Sequence, residues 1–310
     1  MVSVVALFRQ TGLKPFLVKR AKIIQAVRSF FIEEGFLEVD TPVRIPYPLP
    51  ESHIDAETSG DWYLQASPES CMKQLLATGF PQIFQICKCF RKGERGRRHL
   101  PEMTLLEWYE ADVDYKFVME RCEALVRFAA STSGPGGFIT YQGRKIDLTG
   151  KWERLTVADA FMRYASITME AALARGRFDE CMALEIEPCL GNELPVFLYD
   201  YPLEKGALAK ASSENPQVVE RFELYIAGLE LCNAFSELTD GAIQQNRFDA
   251  ENRARIEMGK PGYGMPKKFL NALKQMPEAG GIALGIDRLV MLLTDAPDID
   301  HVTAFVPEDL

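Results

Sequence analysis

Histidine is scarce in this sequence, long apolar runs are absent, and basic residues are outnumbered by acidic ones. Three histidines occur in 310 residues, and no second cysteine pair lies near Cys87 and Cys89, which argues against a zinc site. No run of about eighteen apolar residues occurs, so we expect no membrane-spanning helix. The net charge of -9 lowers the expectation of a dedicated nucleic-acid-binding surface.

Cysteine usage and the start of the sequence indicate a cytoplasmic protein. The seven cysteines are an odd and scattered set, which favours reduced thiols over a disulfide framework. The opening segment MVSVVALFRQ has no basic leader, and no small-residue cleavage site follows its apolar stretch, so we expect no signal peptide.

The order of the predicted elements favours an α+β fold with an antiparallel sheet. Apolar residues at helical spacing predict a helix from Lys14 to Gly35, and Ser67 and Pro68 predict the cap and first turn of a second helix. The segments QIFQICKCF and MTLLEWYEAD predict the two strands of a hairpin, and the regions after Val219 and around GGIALGID predict further strands. A parallel doubly wound sheet would show a regular alternation of strands and helices, which this sequence lacks.

The remaining segments complete a single large domain. Residues 115–130 and 242–258 have helical patterns, and the stretch STSGPGG at 131–137 predicts a loop. We divide the chain into an N-terminal extension, residues 1–13, and one domain, residues 14–310.

The predicted hairpin carries polar residues on one face. Strand alternation places four side chains on the same side, and these are Met103, Leu105, Glu107 and Tyr109. Arg91 ends the first strand and His99 follows the tip, so a guanidinium lies where it can hold a phosphate in two hydrogen bonds. The alternative interpretation is a solvated charged hairpin.

The segment ELCNAFSELTD predicts a second polar strand face. Asn233, Phe235 and Glu237 alternate, which suits the wall of a polar pocket better than a core. Glu230 has the opposite parity to Glu237, so both can face one site only if the strand bulges between them. The alternative is a surface strand with ordinary charges.

The segment GGIALGIDRL predicts a strand with small residues on one side. Gly281, Ala283 and Gly285 share a face and leave room for a ligand to lie against the sheet. Arg288 follows at the start of a predicted helix, where the side chain and the helix dipole both favour phosphate. The alternative is close packing of a helix on the strand.

These segments together resemble the three motifs of class II aminoacyl-tRNA synthetases. FFIEEGFLEVDTPV resembles motif 1, FRKGERGRRHLPEMTLLEWY resembles motif 2, and GIALGIDRLVML resembles motif 3. SPESCMKQLL and the stretch from ALAKASS to SELTD match the lysyl branch in particular. The resemblance extends over nearly the whole chain from about residue 14.

Within that branch the sequence is most similar to the elongation factor P–(R)-β-lysine ligase family, which comprises truncated relatives of lysyl-tRNA synthetases. Motif 1 begins almost at once, so we expect no anticodon-binding OB domain. Ala283 is typical of the ligase family, where lysyl-tRNA synthetases have glycine.

The resemblance implies roles for individual residues. Arg91 and Arg288 would be catalytic, Arg91 by bridging the substrate carboxylate and the α-phosphate of ATP and Arg288 by holding the γ-phosphate. The residues implied in ATP binding are Arg91, Lys92, Gly93, Glu94, His99, Leu100, Met103, Glu230, Leu231, Gly285 and Arg288. The residues implied in amino-acid binding are Ser67, Pro68, Glu69, Glu107, Tyr109, Asn233, Phe235, Glu237 and Ala283. Glu69 and Glu237 would pair with the side-chain ammonium, and Glu230 and Glu237 would bind Mg²⁺.

Three positions depart from the family pattern. Gly93 replaces the usual glutamate, and Glu94 is a candidate to take its place. Met103 stands where the family stacks a phenylalanine on adenine, and thioethers stack less well. Ala234 replaces a glycine, and we expect a slight shift in substrate preference.

The implied activity is ATP-dependent activation of (R)-β-lysine as its adenylate, followed by transfer to a lysine side chain of elongation factor P. The implied partners are elongation factor P and a second copy of the chain, without tRNA. One alternative is a free-standing enzyme that activates lysine for tRNA. A second is a catalytically silent binding subunit, which the presence of Arg91, Arg288 and the acidic pocket disfavours.

Overall fold

The computed structural model describes residues 9–134 and 137–310. Its α-helices are α1 (Arg9–Glu33), α2 (Glu69–Ala77), α3 (Tyr115–Ser133), α4 (Val157–Tyr164), α5 (Met169–Ala174), α6 (Phe178–Cys181), α7 (Gly241–Glu257), α8 (Lys267–Leu273) and α9 (Ile286–Thr294). Its strands are β1 (Leu37–Glu38), β2 (Arg44–Ile45), β3 (Thr58–Ser59), β4 (Trp62–Leu64), β5 (Gln82–Phe90), β6 (Glu102–Ala111), β7 (Phe138–Tyr141), β8 (Arg144–Asp147), β9 (Glu153–Thr156), β10 (Val196–Pro202), β11 (Val218–Ile226), β12 (Leu229–Ser236) and β13 (Ala279–Gly285).

A sheet with the strand order β1-β5-β6-β13-β12-β11-β10-β9 organises the molecule. The neighbours from β5 to β10 all pair antiparallel, which confirms the predicted α+β fold. The two outermost pairs, β1 with β5 and β9 with β10, are parallel, contrary to a purely antiparallel prediction. Each parallel pair is joined by a long connection that contains helices, and such a crossover returns the chain in the same direction.

Helices cover both faces of this sheet. The first face packs against α1, α3 and α9, in a core where Phe31, Phe84 and Trp108 are fully buried. The second face packs against α2 and α4, and β6 contributes Tyr109 to its core. In the part of the chain that the structure describes, no helix is both long and apolar enough to cross a bilayer.

Helix α1 begins at Arg9 rather than at the predicted Lys14. The guanidinium of Arg9 donates to the Asp300 carbonyl at 2.7 Å and pairs with Asp309, which anchors an additional turn against the C-terminal segment. The predicted N-terminal extension is therefore helical from Arg9, and its residues 1–8 lie outside the described residues. Gly35 follows the helix with a φ of +84°, as its predicted role as a stop requires.

Other helix boundaries differ by a few residues from the prediction. Helix α2 begins at Glu69, and Pro68 is its cap residue, while the Ser67 hydroxyl accepts a hydrogen bond from the Glu69 N–H at 3.0 Å. Helix α3 continues into the predicted 131–137 loop, of which residues 135–136 lie outside the described part. The 242–258 prediction is confirmed by α7.

An ion pair joins the first and last α-helices. Arg20 of α1 contacts Asp287 at the start of α9 at 2.6 Å, and Asp287 accepts the Thr104 N–H of β6 at 2.7 Å. Asp287 is nearly fully buried. Because these groups are shielded from water, the contacts fix β6 relative to the helix that carries Arg288.

Candidate active site

One cavity of about 340 Å³ lies against the central strands and gathers most of the residues that the sequence predicted. These are Ser67, Glu69, Arg91, Glu94, His99, Leu100, Met103, Glu107, Tyr109, Glu230, Leu231, Asn233, Phe235, Glu237, Ala283, Gly285 and Arg288. They come from α2, the β5–β6 hairpin, β12, β13 and α9. Segments that are distant in sequence therefore form one site.

Three predicted site residues do not line the cavity. Pro68 caps α2. Lys92 is exposed, and its backbone N–H donates to the Asp55 carbonyl at 2.6 Å. Gly93 has a φ of +78°, a conformation that glycine adopts without strain and glutamate does not. Glu94, the next residue, lines the cavity and lies 3.8 Å from Arg91. An acidic side chain is therefore present one position after Gly93, which replaces the usual glutamate.

The predicted bulge in β12 is present. Glu230 pairs with Tyr225 across the sheet, and Cys232 pairs with Leu224, so Leu231 is an extra residue on its strand. The extra residue inverts the alternation, and Glu230 and Glu237 both line the cavity.

Small residues of β13 form part of the cavity wall. Ala283 pairs with Asn233 on one side and with Glu107 on the other, so its methyl group lies between two predicted substrate contacts. A methyl group added at Gly281 would lie 2.0 Å from Glu237 Oε1 and 2.4 Å from the Tyr109 ring. The site therefore requires glycine at 281.

The buried end of the cavity is acidic, and we call Glu69, Lys73, Glu107, Tyr109 and Glu237 the inner cluster. Lys73 pairs with Glu69 and lies 2.5 Å from Glu237, and both Lys73 and Glu237 are only 1% exposed. Burial alone would lower the pKa of Lys73, but the two carboxylates outweigh it and hold that pKa above its ordinary value. Glu69 and Glu237, which the sequence predicted to bind the substrate ammonium, therefore already contact the ammonium of Lys73.

Glu107 completes the inner cluster. Its carboxylate accepts hydrogen bonds from Ser67 at 2.7 Å and from the Tyr109 hydroxyl at 3.0 Å. Burial, with the nearby charge of Glu69, raises the pKa of Glu107 to about 8. Burial likewise raises the pKa of Glu237, although Lys73 opposes the shift. Three acidic side chains therefore surround one ammonium, and because the pKa values of Glu107 and Glu237 are raised, the free inner cluster holds protons that a bound ammonium would displace.

The more exposed end of the cavity is basic, and we call Arg91, Glu94, Arg98, His99, Glu230 and Arg288 the outer cluster. Arg288 donates to the Glu230 carbonyl at 2.7 Å and to His99 Nε2 at 2.6 Å. Burial and the neighbouring arginines lower the pKa of His99 to about 4, so the ring is neutral at pH 7 and its Nε2 accepts a hydrogen bond from the Arg288 guanidinium.

Arg91, a member of the outer cluster, carries an unsatisfied donor. Its Nε is buried and has no hydrogen-bond partner among the described residues. A buried guanidinium N–H without an acceptor is costly, so the free energy of the site improves when an anionic ligand accepts from it.

Four residues that matter to the charge of the site escaped the sequence prediction, and they are Glu51, Lys73, Arg98 and Arg221. Lys73 follows Glu69 at the i,i+4 spacing of an ion pair, a signal that could have found it. Glu51 lies in a proline-rich loop that has no periodicity, so no local signal indicates its direction.

Ala234 does not face the cavity. It is fully buried in the core on the opposite side of β12, because Asn233 and Phe235 take the cavity side. Its methyl group therefore has no direct contact with the cavity, and the expected shift in substrate preference stays a prediction.

The family model for tRNA synthetases class II (D, K and N) matches residues 2–309. The chain belongs to this family. Within this family, the chain is 39% identical to an elongation factor P–(R)-β-lysine ligase of Hamiltonella defensa, over 94% of its own length and 95% of that protein. It is 35% identical to a protein of the same description in Salmonella arizonae, over 98% of both chains.

The chain also resembles lysine–tRNA ligases. It is 38% identical to the one from Moorella thermoacetica over 94% of its own length, and it spans 65% of the length of that relative. The predicted membership in the class II synthetase family, with its lysyl branch, is confirmed by these matches.

Proposed function

We propose that this class II protein activates (R)-β-lysine with ATP and transfers it to a lysine side chain of elongation factor P. The observation that carries the proposal is the division of charge along one cavity. The inner cluster has an excess of carboxylates, and the outer cluster has three guanidinium groups with a neutral imidazole. A lysine-type ammonium complements the first, and nucleotide phosphates complement the second.

The reaction requires no nucleophile from the protein. The substrate carboxylate attacks the α-phosphate of ATP, a P–O bond forms, and pyrophosphate leaves. Arg91 lies where its unsatisfied Nε can donate to the reacting anions, and Arg288 supplies positive charge at the outer end. The acceptor amine then attacks the acyl carbon and AMP leaves. Rate enhancement thus rests on positioning and on charge stabilisation in a preformed site.

Mg²⁺ fits this arrangement as a companion of ATP. In the described ranges no group of three or more His, Cys, Asp or Glu side chains is arranged to hold a metal. Mg²⁺ commonly uses one or two carboxylates and completes its shell with phosphate and water. Glu230 belongs to the outer cluster, and Glu237 Oε1 accepts no hydrogen bond from the described residues, so these two would hold it. When bound, Mg²⁺ would neutralise phosphate charge.

We assign elongation factor P as the acceptor because relatives of that description match the chain over nearly their whole length. Lysine–tRNA ligation is the second candidate, since relatives with that description match at similar identity. The overall charge of -9 favours a protein acceptor over a nucleic acid. A cytoplasmic location suits either acceptor.

A homodimer through motif 1 completes the proposal. Three large apolar side chains of this segment, Ile32, Leu37 and Val43, are between 39% and 56% exposed, and Tyr47, four residues beyond it, is 49% exposed. Exposed apolar residues concentrated in one segment are typical of an interaction surface. We expect a twofold dimer in sedimentation experiments, and a Leu37→Asp variant should shift it towards monomer.

The test follows labelled substrate into the acceptor. Purified protein is incubated with ATP, Mg²⁺ and labelled (R)-β-lysine, in separate reactions with elongation factor P and with tRNA. We expect label in elongation factor P, and none when its acceptor lysine is replaced by arginine. Label in tRNA alone, with L-lysine preferred, would instead establish the second candidate.

A further inference from the structure

Glu51 stands apart from the other acidic residues of the cavity because its carboxylate has no hydrogen-bond or ion-pair partner among the residues that the structure describes. Glu69 and Glu237 contact Lys73, and Glu107 accepts from Ser67 and Tyr109. The remaining acidic groups pair with arginines, and they are Glu94, Glu230 and Asp287. Among the described side chains, none donates a hydrogen bond to the carboxylate of Glu51.

The backbone around Glu51 is held firmly. The guanidinium of Arg255, 1% exposed, donates to the carbonyls of Glu51 and Ile54 at 2.9 Å each. The adjacent Ser52 N–H donates to Glu251 at 2.7 Å. A loop fixed by a buried guanidinium on one side and a carboxylate on the other presents its side chain in a defined place, as a binding site requires.

Glu51 lines the same cavity as Arg91 of the outer cluster and Glu69 of the inner cluster. Burial raises the pKa of Glu51 to about 7, and among the charged neighbours Arg91 has the largest effect and Glu69 the next. A carboxylate that shares a cavity with an acidic cluster and with a guanidinium that receives the reacting anion is suited to an ammonium close to that anion.

We propose that Glu51 binds the substrate ammonium nearest the reacting carboxylate, and that it contributes to the choice between β- and α-amino acids. This inference rests on the proposed function, because it presupposes a diamino acid in the cavity. In β-lysine that ammonium lies one carbon further from the carboxylate than in α-lysine. A carboxylate held on a fixed loop responds to this difference, whereas the inner cluster takes the terminal ammonium in both cases.

The test compares Glu51→Gln with the unaltered protein by ATP–pyrophosphate exchange on three substrates. These are (R)-β-lysine, L-lysine and 6-aminohexanoate, which keeps the terminal amine and the carboxylate but lacks the second amine. We expect kcat/KM for the preferred lysine to fall about 10- to 100-fold, mainly through KM, because a charged hydrogen bond is lost. With 6-aminohexanoate the variant and the unaltered protein should differ by less than about twofold.

Two variants serve as controls. Glu57→Gln removes a charge further along the same segment, outside the cavity, and should leave all three substrates unaffected. Glu51→Asp keeps the charge but withdraws it by one methylene, and should alter the ratio of β-lysine to α-lysine use. An equal loss on all three substrates for Glu51→Gln would overturn the inference, as would an unchanged ratio for Glu51→Asp. If the unaltered protein showed exchange with none of the three substrates, the proposed function would be refuted instead.

Discussion

The inner and outer clusters of the cavity are built in opposite ways. The inner cluster is buried, acidic and short of cations, and Lys73 serves two carboxylates at once. The outer cluster is more exposed and basic, and Arg288 is held by a backbone carbonyl and a neutral histidine as well as by Glu230. Each end therefore lacks the charge that its proposed ligand would supply. The inner cluster lacks positive charge, and the outer cluster lacks negative charge.

This difference teaches how one small cavity orients a substrate that carries charges of both signs. An ammonium is repelled from the guanidinium groups and is attracted by the carboxylates, and phosphates behave in the reverse way. Because the inner charges are shielded from water, their attraction is stronger than that of similar groups at the surface. Orientation thus follows from the arrangement of charges before any chemical step.

The largest effect that sharpens this comparison should come from Arg91→Ala. The variant removes the guanidinium of the outer cluster whose Nε lacks an acceptor among the described residues, and we expect ATP–pyrophosphate exchange to fall about a thousandfold or more. Arg163→Ala removes an exposed arginine that pairs with Glu153 at 2.7 Å, and should leave exchange unchanged. Near-normal exchange by Arg91→Ala would show that the clusters do not need this residue.

Lys73→Met tests the inner cluster alone. Removal of the ammonium leaves two buried carboxylates without their cation, so we expect the free energy of unfolding to fall by about 3–5 kcal/mol. Lys88→Met is the matched control, because Lys88 pairs with Glu102 at 3.2 Å with both side chains about half exposed, and should cost under about 1 kcal/mol. Equal costs in chemical denaturation would contradict a special role of Lys73.

Gly281→Ala tests how tightly the inner cluster is packed. The new methyl group would meet Glu237 Oε1 and the Tyr109 ring, so we expect a loss of about 1–3 kcal/mol in stability and a higher KM for lysine. Gly12→Ala places a methyl group where no atom lies within 4 Å, and should be neutral or stabilising. Thermal unfolding of both variants provides the comparison.

The smallest expected effect is a pH dependence of lysine binding. The raised pKa values of Glu51, about 7, and Glu107, about 8, mean that the free site holds protons at neutral pH. A bound ammonium lowers these pKa values, so the complex holds fewer protons and is favoured as the pH rises. We expect the KM for lysine to fall about tenfold between about pH 6 and pH 8, with little change for ATP. A flat profile would contradict the assignment of these carboxylates as ligands.

Sequence patterns predicted those parts of the site that lie on strands. Alternation placed Glu107 and Tyr109 on one face, and the opposite parity of Glu230 and Glu237 indicated that both reach one site only if the strand bulges or bends, which it does at Leu231. In the fold, strand pairs joined by hairpins predicted the antiparallel centre of the sheet. A strand repeats every second residue, so the direction of each side chain can be inferred from its neighbours.

The sequence could not predict what depends on contacts between distant segments. The backbone of Glu51 is held by Arg255, which lies far along the chain in α7 and donates to the Glu51 carbonyl. The early start of α1 depends on contacts with Asp300 and Asp309. The parallel edges of the sheet likewise depend on where long crossovers return, which local periodicity does not encode.

The most direct test of the divided cavity is ATP–pyrophosphate exchange with (R)-β-lysine, L-lysine and norleucine. Norleucine has nearly the length of lysine but lacks the terminal ammonium. We predict exchange with at least one of the lysines and at least about a hundredfold less with norleucine, because the inner cluster would be left unneutralised. Comparable exchange with norleucine would contradict the account, since the acidic end of the cavity would then have no part in choosing the substrate.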